Sequence, residues 1–291
     1  MYTLRVVETR APGTWPFVRP ARVPRRRKGQ EGQLIVLFFA DVVGRPGREL
    51  LAAKLPALRR QYGADAVVAN GENATDGKGI KPAHAEALLS AGVDVITTGN
   101  HVFRQRDAYR YLDDQSRIIR PFNFLSSNPG RGVTVVDTPA GRLGVINLSG
   151  DLYLYPARSP FEVVGEALEQ LHGVRNVLVD LHAEATSEKV AMGWHLDGRV
   201  SAVIGTHTHV RTADARVLPG GTAYITDVGM CGPRDSVIGV KKELVLERFL
   251  TQLPVRFEVA SGDVWLEGVV VEIGDDGRAL HIESFEAGAD S

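Results

Sequence analysis

From residue 34 onward, short apolar runs alternate with amphipathic stretches of helical periodicity. The first run, at 34–40, reads LIVLFFA, and the stretch at 44–63 has apolar residues at helical spacing with Pro46 near its start. Further apolar runs lie at 66–69, 93–98, 142–148, 176–181 and 200–206. This alternation predicts an α/β fold in which helices cover the faces of a mostly parallel sheet.

The pattern changes near the end of the chain. Residues 236–250 are predicted to form a surface helix. Apolar and polar residues then alternate at 255–273 and 278–286, which predicts hairpin strands joined through turns at 261–263 (Ser-Gly-Asp) and 275–277 (Asp-Asp-Gly). We expect these strands to complete a second sheet.

Polar side chains that can bind metal ions follow five of the apolar runs. In chain order they are Asp41, the NGEN segment at 70–73, the GNH segment at 99–101, His182, and the pair His207 and His209. Ligands of α/β proteins bind outside the carboxyl ends of the strands, so we expect these residues to share one site. An extended H-x-H segment would direct both histidine rings to the same side of the backbone.

Each of these features also has a common structural interpretation. An aspartate after a strand often caps a helix. Asn and Gly residues are frequent in turns, and a buried histidine is often only hydrogen-bonded within the core. Their occurrence together, at equivalent places after five strands, favours a metal site built from oxygen and nitrogen ligands.

Composition limits the alternatives. The chain has 291 residues, of which 44% are hydrophobic, and this suits one main domain. No run approaches the ~18 apolar residues of a membrane helix, and the N-terminus has no apolar signal region, so we expect a cytoplasmic protein without a membrane partner. Cys231 is the single cysteine, which excludes an internal disulfide and a thiolate metal cluster.

The N-terminal segment differs from the rest in charge. Residues 1–33 contain eight Arg or Lys residues and two Glu residues, whereas the other 258 residues have 26 basic and 33 acidic side chains. Four prolines at every fourth position from Pro12 disfavour the amphipathic helix of a transit peptide. We expect residues 1–33 to be a disordered basic extension and residues 34–286 to form the domain.

The segment NGENATDGKGI at 70–80 contains three glycines. It lacks the G-x-x-x-x-G-K-[ST] spacing of a phosphate-binding loop. We therefore interpret it as a flexible rim of the site, where Lys78 would be near a substrate.

The order of the motifs resembles a known family. Asp41, NGEN and GNH are followed by DLHAEATSEK at 180–189, GTHTHV at 205–210 and GTAYITDVGMCGP at 221–233. Together they resemble the YmdB-like branch of the calcineurin-like metallophosphoesterases over roughly residues 34–275. The resemblance implies a four-layer α/β/β/α metallophosphoesterase sandwich with a dinuclear metal centre that hydrolyses phosphodiesters, including 2′,3′-cyclic nucleotides.

The resemblance also implies a role for each residue of the site. It implies Asp41 and His209 on one ion, Asn100, His182 and His207 on the other, Glu72 bridging both, and Asn73 at or near the first ion. His101 matches a histidine beside the metals that assists the reaction. We expect it to donate a proton or a hydrogen bond to the leaving oxygen.

The chemistry of such a centre is consistent with these residue types. A bridging carboxylate can hold two cations ~3.5–4 Å apart, where they clamp phosphate oxygens and lower the pKa of a bound water towards ~7. The nucleophile would be a metal-bound hydroxide, so no Ser or Cys nucleophile is needed. Carboxylate, amide and imidazole ligands suit iron, manganese or zinc without choosing among them. We expect two metal ions per chain, with iron first and manganese or zinc as alternatives.

Two other functions are compatible with some of these features. A metal-dependent amidohydrolase also uses H-x-H, but that pair normally follows the first strand of a barrel, whereas here it is the last motif. A non-enzymatic regulatory module could retain the same metal site. The expected partner is a small phosphodiester or cyclic nucleotide, with RNA-derived substrates and a homo-oligomer left open.

Overall fold

The computed structural model describes residues 33–289, so the expected disorder of the N-terminal extension lies outside the described residues. The strands in this range are β1 (Leu34–Phe39), β2 (Asp41–Val42), β3 (Ala66–Asn70), β4 (Val95–Thr97), β5 (Val133–Thr138), β6 (Gly141–Ser149), β7 (Asn176–His182), β8 (Ala202–Thr206), β9 (Arg216–Val217), β10 (Ala223–Ile225), β11 (Met230–Pro233), β12 (Val264–Ile273) and β13 (Ala279–Gly288). The α-helices are α1 (Gly44–Tyr62), α2 (Pro82–Ser90), α3 (Ala108–Asp114), α4 (Pro160–Glu169), α5 (Thr186–Leu196) and α6 (Lys242–Thr251).

The strands form two sheets, and the alternating region, predicted to form one of them, is divided between both. The first has the order β2-β11-β12-β1-β3-β4, with β13 paired to β12. The second has the order β5-β6-β7-β8-β10-β9. In each sheet the neighbouring strands that carry the motifs run parallel: β1, β3 and β4 in the first, and β6, β7 and β8 in the second.

The two sheets pack face to face and each is covered by helices on its outer side. The main core joins residues of both sheets, such as Leu37 of β1 and Ile204 of β8. Helices α1 and α2 contribute buried leucines to this core from outside the first sheet, and Leu51 and Leu55 of α1 are fully buried. A second core holds α4 and α5 against the outer face of the second sheet, through residues such as Met192. The fold is therefore the expected four-layer α/β/β/α sandwich.

The C-terminal prediction was wrong in three respects. The predicted helix at 236–250 begins only at Lys242, because residues 237–240 form a tight turn. Residues 255–260, predicted to form a strand, form none, whereas the strand predicted after the turn at 261–263 is β12, which begins at Val264. The hairpin of β12 and β13 also completes the first sheet instead of the second, because residues 268–273 of β12 pair antiparallel with the whole length of β1.

No helix between residues 33 and 289 is both long and apolar enough to cross a membrane.

Candidate metal centre

The carboxyl ends of the parallel strands of both sheets meet at one edge of the sandwich. Buried polar side chains connect the two sheets there. Asn70, at the end of β3, donates a hydrogen bond to the Asp180 carboxylate of β7 at 3.0 Å. The backbone N–H of Thr98, just after β4, donates to the Asn147 side chain of β6 at 3.0 Å. The motifs that follow these strands are thereby brought to one place, as the sequence predicts.

One group of possible ligands contains Glu72, His182 and His207. Their nearest ligand atoms lie within 4.8 Å of one another. The Nε2 atom of His182 lies 3.2 Å from Glu72 Oε1 and 3.0 Å from His207 Nδ1. Asn100 joins this group, with its Oδ1 atom 3.1 Å from the same Nε2 atom.

A second group lies on the other side of Asp41. His209 Nε2 is 3.0 Å from the Asn73 side-chain amide and 3.9 Å from Asp41 Oδ1. Asp41 also accepts a hydrogen bond from the backbone N–H of His207 at 3.1 Å. Asp41 is thus placed between His209 and the first group.

Gly99 explains how these side chains approach one another so closely. A Cβ atom at this position would collide with the carboxylate of Glu72 and the ring of His182. The glycine of the GNH segment therefore makes room for the site, and a larger residue would displace both side chains.

Hydrogen bonds outside the cluster fix the orientation of two of the rings. Nδ1 of His182 lies 2.9 Å from Thr206 Oγ1, and Thr206 donates in turn to Asp180 at 2.7 Å. Nδ1 of His209 donates to the Ile238 carbonyl at 2.9 Å. Both residues therefore direct Nε2 into the cluster, which is the arrangement that metal-binding histidines adopt.

The ring of His207 is oriented in the opposite sense. Its Nδ1 atom faces the cluster, and its Nε2 atom lies 3.0 Å from the Glu184 carboxylate. Glu184 is half exposed and was given no role in the sequence-based prediction, although it lies within the HAEATSEK motif. An imidazole that donates one N–H to a carboxylate is a stronger ligand through its other nitrogen.

The predicted extended conformation of the H-x-H segment was wrong. Strand β8 ends at Thr206, and the backbone of His207 and His209 has positive φ angles of 102° and 62°. Positive φ is uncommon for residues other than glycine and costs free energy. Both rings still reach the site, but through a constrained turn instead of the alternation of a strand.

A buried ion pair holds this turn in place. Lys189 Nζ lies 2.6 Å from Asp227 Oδ2, and both side chains are at most 1% exposed. The same Oδ2 atom accepts hydrogen bonds from the backbone N–H and the hydroxyl of Thr208, at 3.0 and 2.8 Å. Thr208 lies between the two histidines, so the ion pair fixes the residue that joins them.

Replacing Lys189 by methionine is expected to lower the free energy of unfolding by about 3–5 kcal/mol, because it leaves a buried carboxylate without its cation. Urea denaturation of the variant and the wild type would measure this loss. The double variant Lys189→Met/Asp227→Asn removes both charges but keeps an acceptor for Thr208, and should recover part of the stability. A loss below ~1 kcal/mol in the single variant would be inconsistent with a stabilising pair.

The two buried acids of the cluster have opposite pKa shifts. Burial raises the pKa of Asp41 above its ordinary value, although the neighbouring histidines oppose this. Burial acts in the same direction on Glu72, but the charge of His182 and the hydrogen bonds from His101 and His182 outweigh it and hold the pKa well below its ordinary value. Glu72 is therefore ionised at neutral pH, as a metal ligand must be.

The two imidazoles of the first group also differ in pKa. Burial and the charge of His182 lower the pKa of His207 to about 3, so His207 is neutral and keeps a lone pair for a ligand bond. Burial also lowers the pKa of His182, but the charges of Glu72, Asp41 and Asp180 outweigh it and raise the pKa to about 9. The negative charge around His182 thus retains a proton, and a metal ion would replace that proton.

The chemistry of the donors fits a metal ion. Asp41 Oδ1 is buried and has no hydrogen-bond partner among the described residues. An unpartnered buried carboxylate oxygen is costly unless a cation contacts it. Carboxylate, amide and imidazole groups are suitable ligands for first-row transition metals.

His101 lies next to the cluster and faces a cavity. Its Nδ1 atom is 3.0 Å from both Glu72 Oε1 and Asn73 Oδ1, and its backbone N–H donates to Glu72 Oε2 at 3.0 Å. The side chain is 22% exposed and lines the cavity together with Lys78. Because Nδ1 is engaged, Nε2 is the ring atom available to a molecule in the cavity.

Comparison with known proteins identifies relatives of the whole domain. Residues 37–285 match the family described as YmdB-like protein. The chain is 46% identical over 253 residues to the 2′,3′-cyclic-nucleotide 2′-phosphodiesterase of Bacillus subtilis (strain 168), an alignment that covers 85% of this chain and 95% of that protein.

Two solved structures have the same fold at substantial sequence identity. A hypothetical protein from Thermus thermophilus superimposes with a TM-score of 0.83 and 39% identity, over 88% of this chain and 99% of the other. A crystal structure described as a novel phosphatase from Mycoplasma pneumoniae has a TM-score of 0.83 and 37% identity, over 88% and 94% of the two chains.

Proposed function

The chain belongs to the YmdB-like protein family, and from this premise we propose that it is a metal-dependent phosphodiesterase acting on 2′,3′-cyclic nucleotides. The observation that carries the proposal is the cluster of Glu72, His182 and His207, the first two of them buried, which adjoins a cavity of about 440 Å³. The activity of the Bacillus subtilis relative, which is 46% identical, supports the substrate class.

The proposed ligands follow the two groups of the cluster. We assign Asp41, His209 and Asn73 to one ion, Asn100, His182 and His207 to the other, and Glu72 to both. Iron is the proposed metal, with manganese and zinc as alternatives of similar ligand preference. When bound, the two ions neutralise phosphate charge and acidify a water molecule.

The side chains of the protein have separate tasks in this reaction. His101 donates its Nδ1–H to Glu72 and Asn73, and in the imidazolium form its Nε2 proton can pass to the leaving oxygen of the substrate, which leaves a neutral imidazole. Lys78 places a positive charge on the cavity wall, where it can attract the phosphodiester anion. His207 and Glu184 are arranged as a carboxylate–imidazole pair that keeps the ligand nitrogen deprotonated.

Turnover of a cyclic nucleotide is the test of this function. The purified protein, supplied with Mn²⁺ or Fe²⁺, is expected to hydrolyse both 2′,3′-cyclic AMP and bis-p-nitrophenyl phosphate, and a chelator should abolish both activities. Retention of bound metal without turnover of either substrate would favour the regulatory module instead.

A further inference from the structure

The cavity over the metal centre has two chemically different walls. Glu72, His101 and His207 line one side. Apolar side chains line the other: Val237, Ile238, Val240, Phe249, Phe257 and Val259. A phosphate group is bound through charge and hydrogen bonds, so apolar side chains do not contribute to its binding. Pockets for larger ligands, in contrast, combine apolar walls with a few polar groups.

Ile238 occupies an unfavourable conformation on this wall. The N–H of Val240 donates to the Val237 carbonyl at 3.0 Å, which closes a tight turn with Ile238 and Gly239 at its centre. Both central residues have positive φ, 48° for Ile238 and 94° for Gly239. Turns of this kind prefer Asn-Gly, and a β-branched residue with positive φ is an outlier.

The position of this turn links it to the metal centre. The Ile238 carbonyl accepts the Nδ1–H of His209 at 2.9 Å, so its backbone orients a proposed metal ligand. Its side chain is 51% exposed and lines the cavity, and therefore gains little from packing. Strained residues of this kind cluster at functional sites.

Two aromatic residues extend the same surface. Phe249 of α6 is 76% exposed and Phe257 is 42% exposed, and both line the cavity with Ile238. Large exposed apolar side chains grouped beside a polar centre mark a binding surface rather than a core. All three side chains line the same cavity, so a planar aromatic ligand bound there would meet an apolar surface.

We propose that Ile238, Phe249 and Phe257 bind the nucleobase of the cyclic nucleotide while its phosphate lies at the metal centre. This assignment rests on the proposed function and identifies the part of the substrate that the apolar wall recognises. Contact with the base removes apolar surface of both partners from water, and aromatic rings add stacking. The wall should therefore discriminate nucleotides from small phosphodiesters that have no base.

Equilibrium binding of adenosine 3′-monophosphate and of inorganic phosphate, measured by calorimetry on the Mn²⁺-loaded protein, tests the proposal without turnover. The wild type should bind the nucleotide at least tenfold more tightly than phosphate. Ile238→Asn and Phe249→Ala should each weaken nucleotide binding about tenfold, which is about 1.4 kcal/mol, and change phosphate binding less than twofold.

Two comparisons separate this effect from loss of structure. Ile238→Asn introduces the preferred turn sequence, so its urea midpoint should rise while nucleotide binding falls. Leu250, the neighbour of Phe249 on α6, is 78% exposed and does not line the cavity. The Leu250→Ala variant should therefore bind the nucleotide as the wild type does.

The possible outcomes distinguish the subsite from the catalytic function. The nucleobase assignment would be overturned if the wild type bound nucleotide and phosphate with equal affinity. It would also be overturned if Ile238→Asn and Phe249→Ala both bound the nucleotide as tightly as the wild type does. If the binding differences are found but 2′,3′-cyclic AMP is not hydrolysed, the subsite stands and the proposed phosphodiesterase activity is wrong.

Discussion

Glu72→Ala is expected to lose its bound metal and nearly all activity. The carboxylate lies 3.2 Å from His182 Nε2 and 3.0 Å from His101 Nδ1, and it is proposed to contact both ions. The ions supply several kcal/mol of transition-state stabilisation, so kcat/KM should fall on the order of 10³-fold or more. Elemental analysis of the purified variant, together with turnover of bis-p-nitrophenyl phosphate, measures both effects.

Glu72→Gln is the matched control for this variant. Glutamine keeps the size of the side chain and one carbonyl acceptor, but it removes the charge that two cations would share. It should retain the fold and lose metal and activity nearly as completely as the alanine variant. Wild-type metal content in either variant would remove Glu72 from the centre.

His101→Ala is expected to keep its metal and to lose activity in a way that depends on the leaving group. A general acid contributes ~10²–10⁴ in rate, and this contribution matters most when the leaving oxygen is a poor leaving group. The ribose hydroxyl of a 2′,3′-cyclic nucleotide needs a proton, whereas p-nitrophenolate leaves without one. The variant should therefore be much slower on 2′,3′-cyclic AMP than on bis-p-nitrophenyl phosphate, relative to the wild type.

The structure shows that His101 also contacts Glu72, so a second variant is needed. His101→Asn can still donate a hydrogen bond to the Glu72 carboxylate, but it cannot supply an acidic proton to the substrate. If His101 only holds Glu72 in place, asparagine should restore activity on both substrates. If His101 is the acid, asparagine and alanine should have the same selective loss, and equal losses on both substrates would contradict the acid role.

The clustering of the candidate residues was predictable because each follows a recognisable strand. Asp41, Glu72, Asn100, His182 and His207 come within a few residues of a strand end, and parallel strands place such residues at one edge. The structure brings all of them together with Asn73, His101 and His209. Their assignment to particular ions stays a prediction.

Other features could not be predicted from local sequence. The periodicity of apolar runs does not reveal which strands pair, so the placement of β12 beside β1 came only from the structure. The positive φ of His207 depends on contacts with distant residues. Lys189 and Asp227 lie within the family motifs, but their side chains are at most 1% exposed. The sequence does not indicate such burial, because a charged residue in a helix or a loop is usually exposed.

Anomalous X-ray diffraction from crystals of the wild-type protein grown with Mn²⁺ is the most direct test of the dinuclear centre. Two anomalous peaks are expected ~3.5–4 Å apart, with Glu72 in contact with both. Asp41 and His209 should contact one peak, and His182 and His207 the other. A single peak, or two peaks that Glu72 does not bridge, would contradict this arrangement.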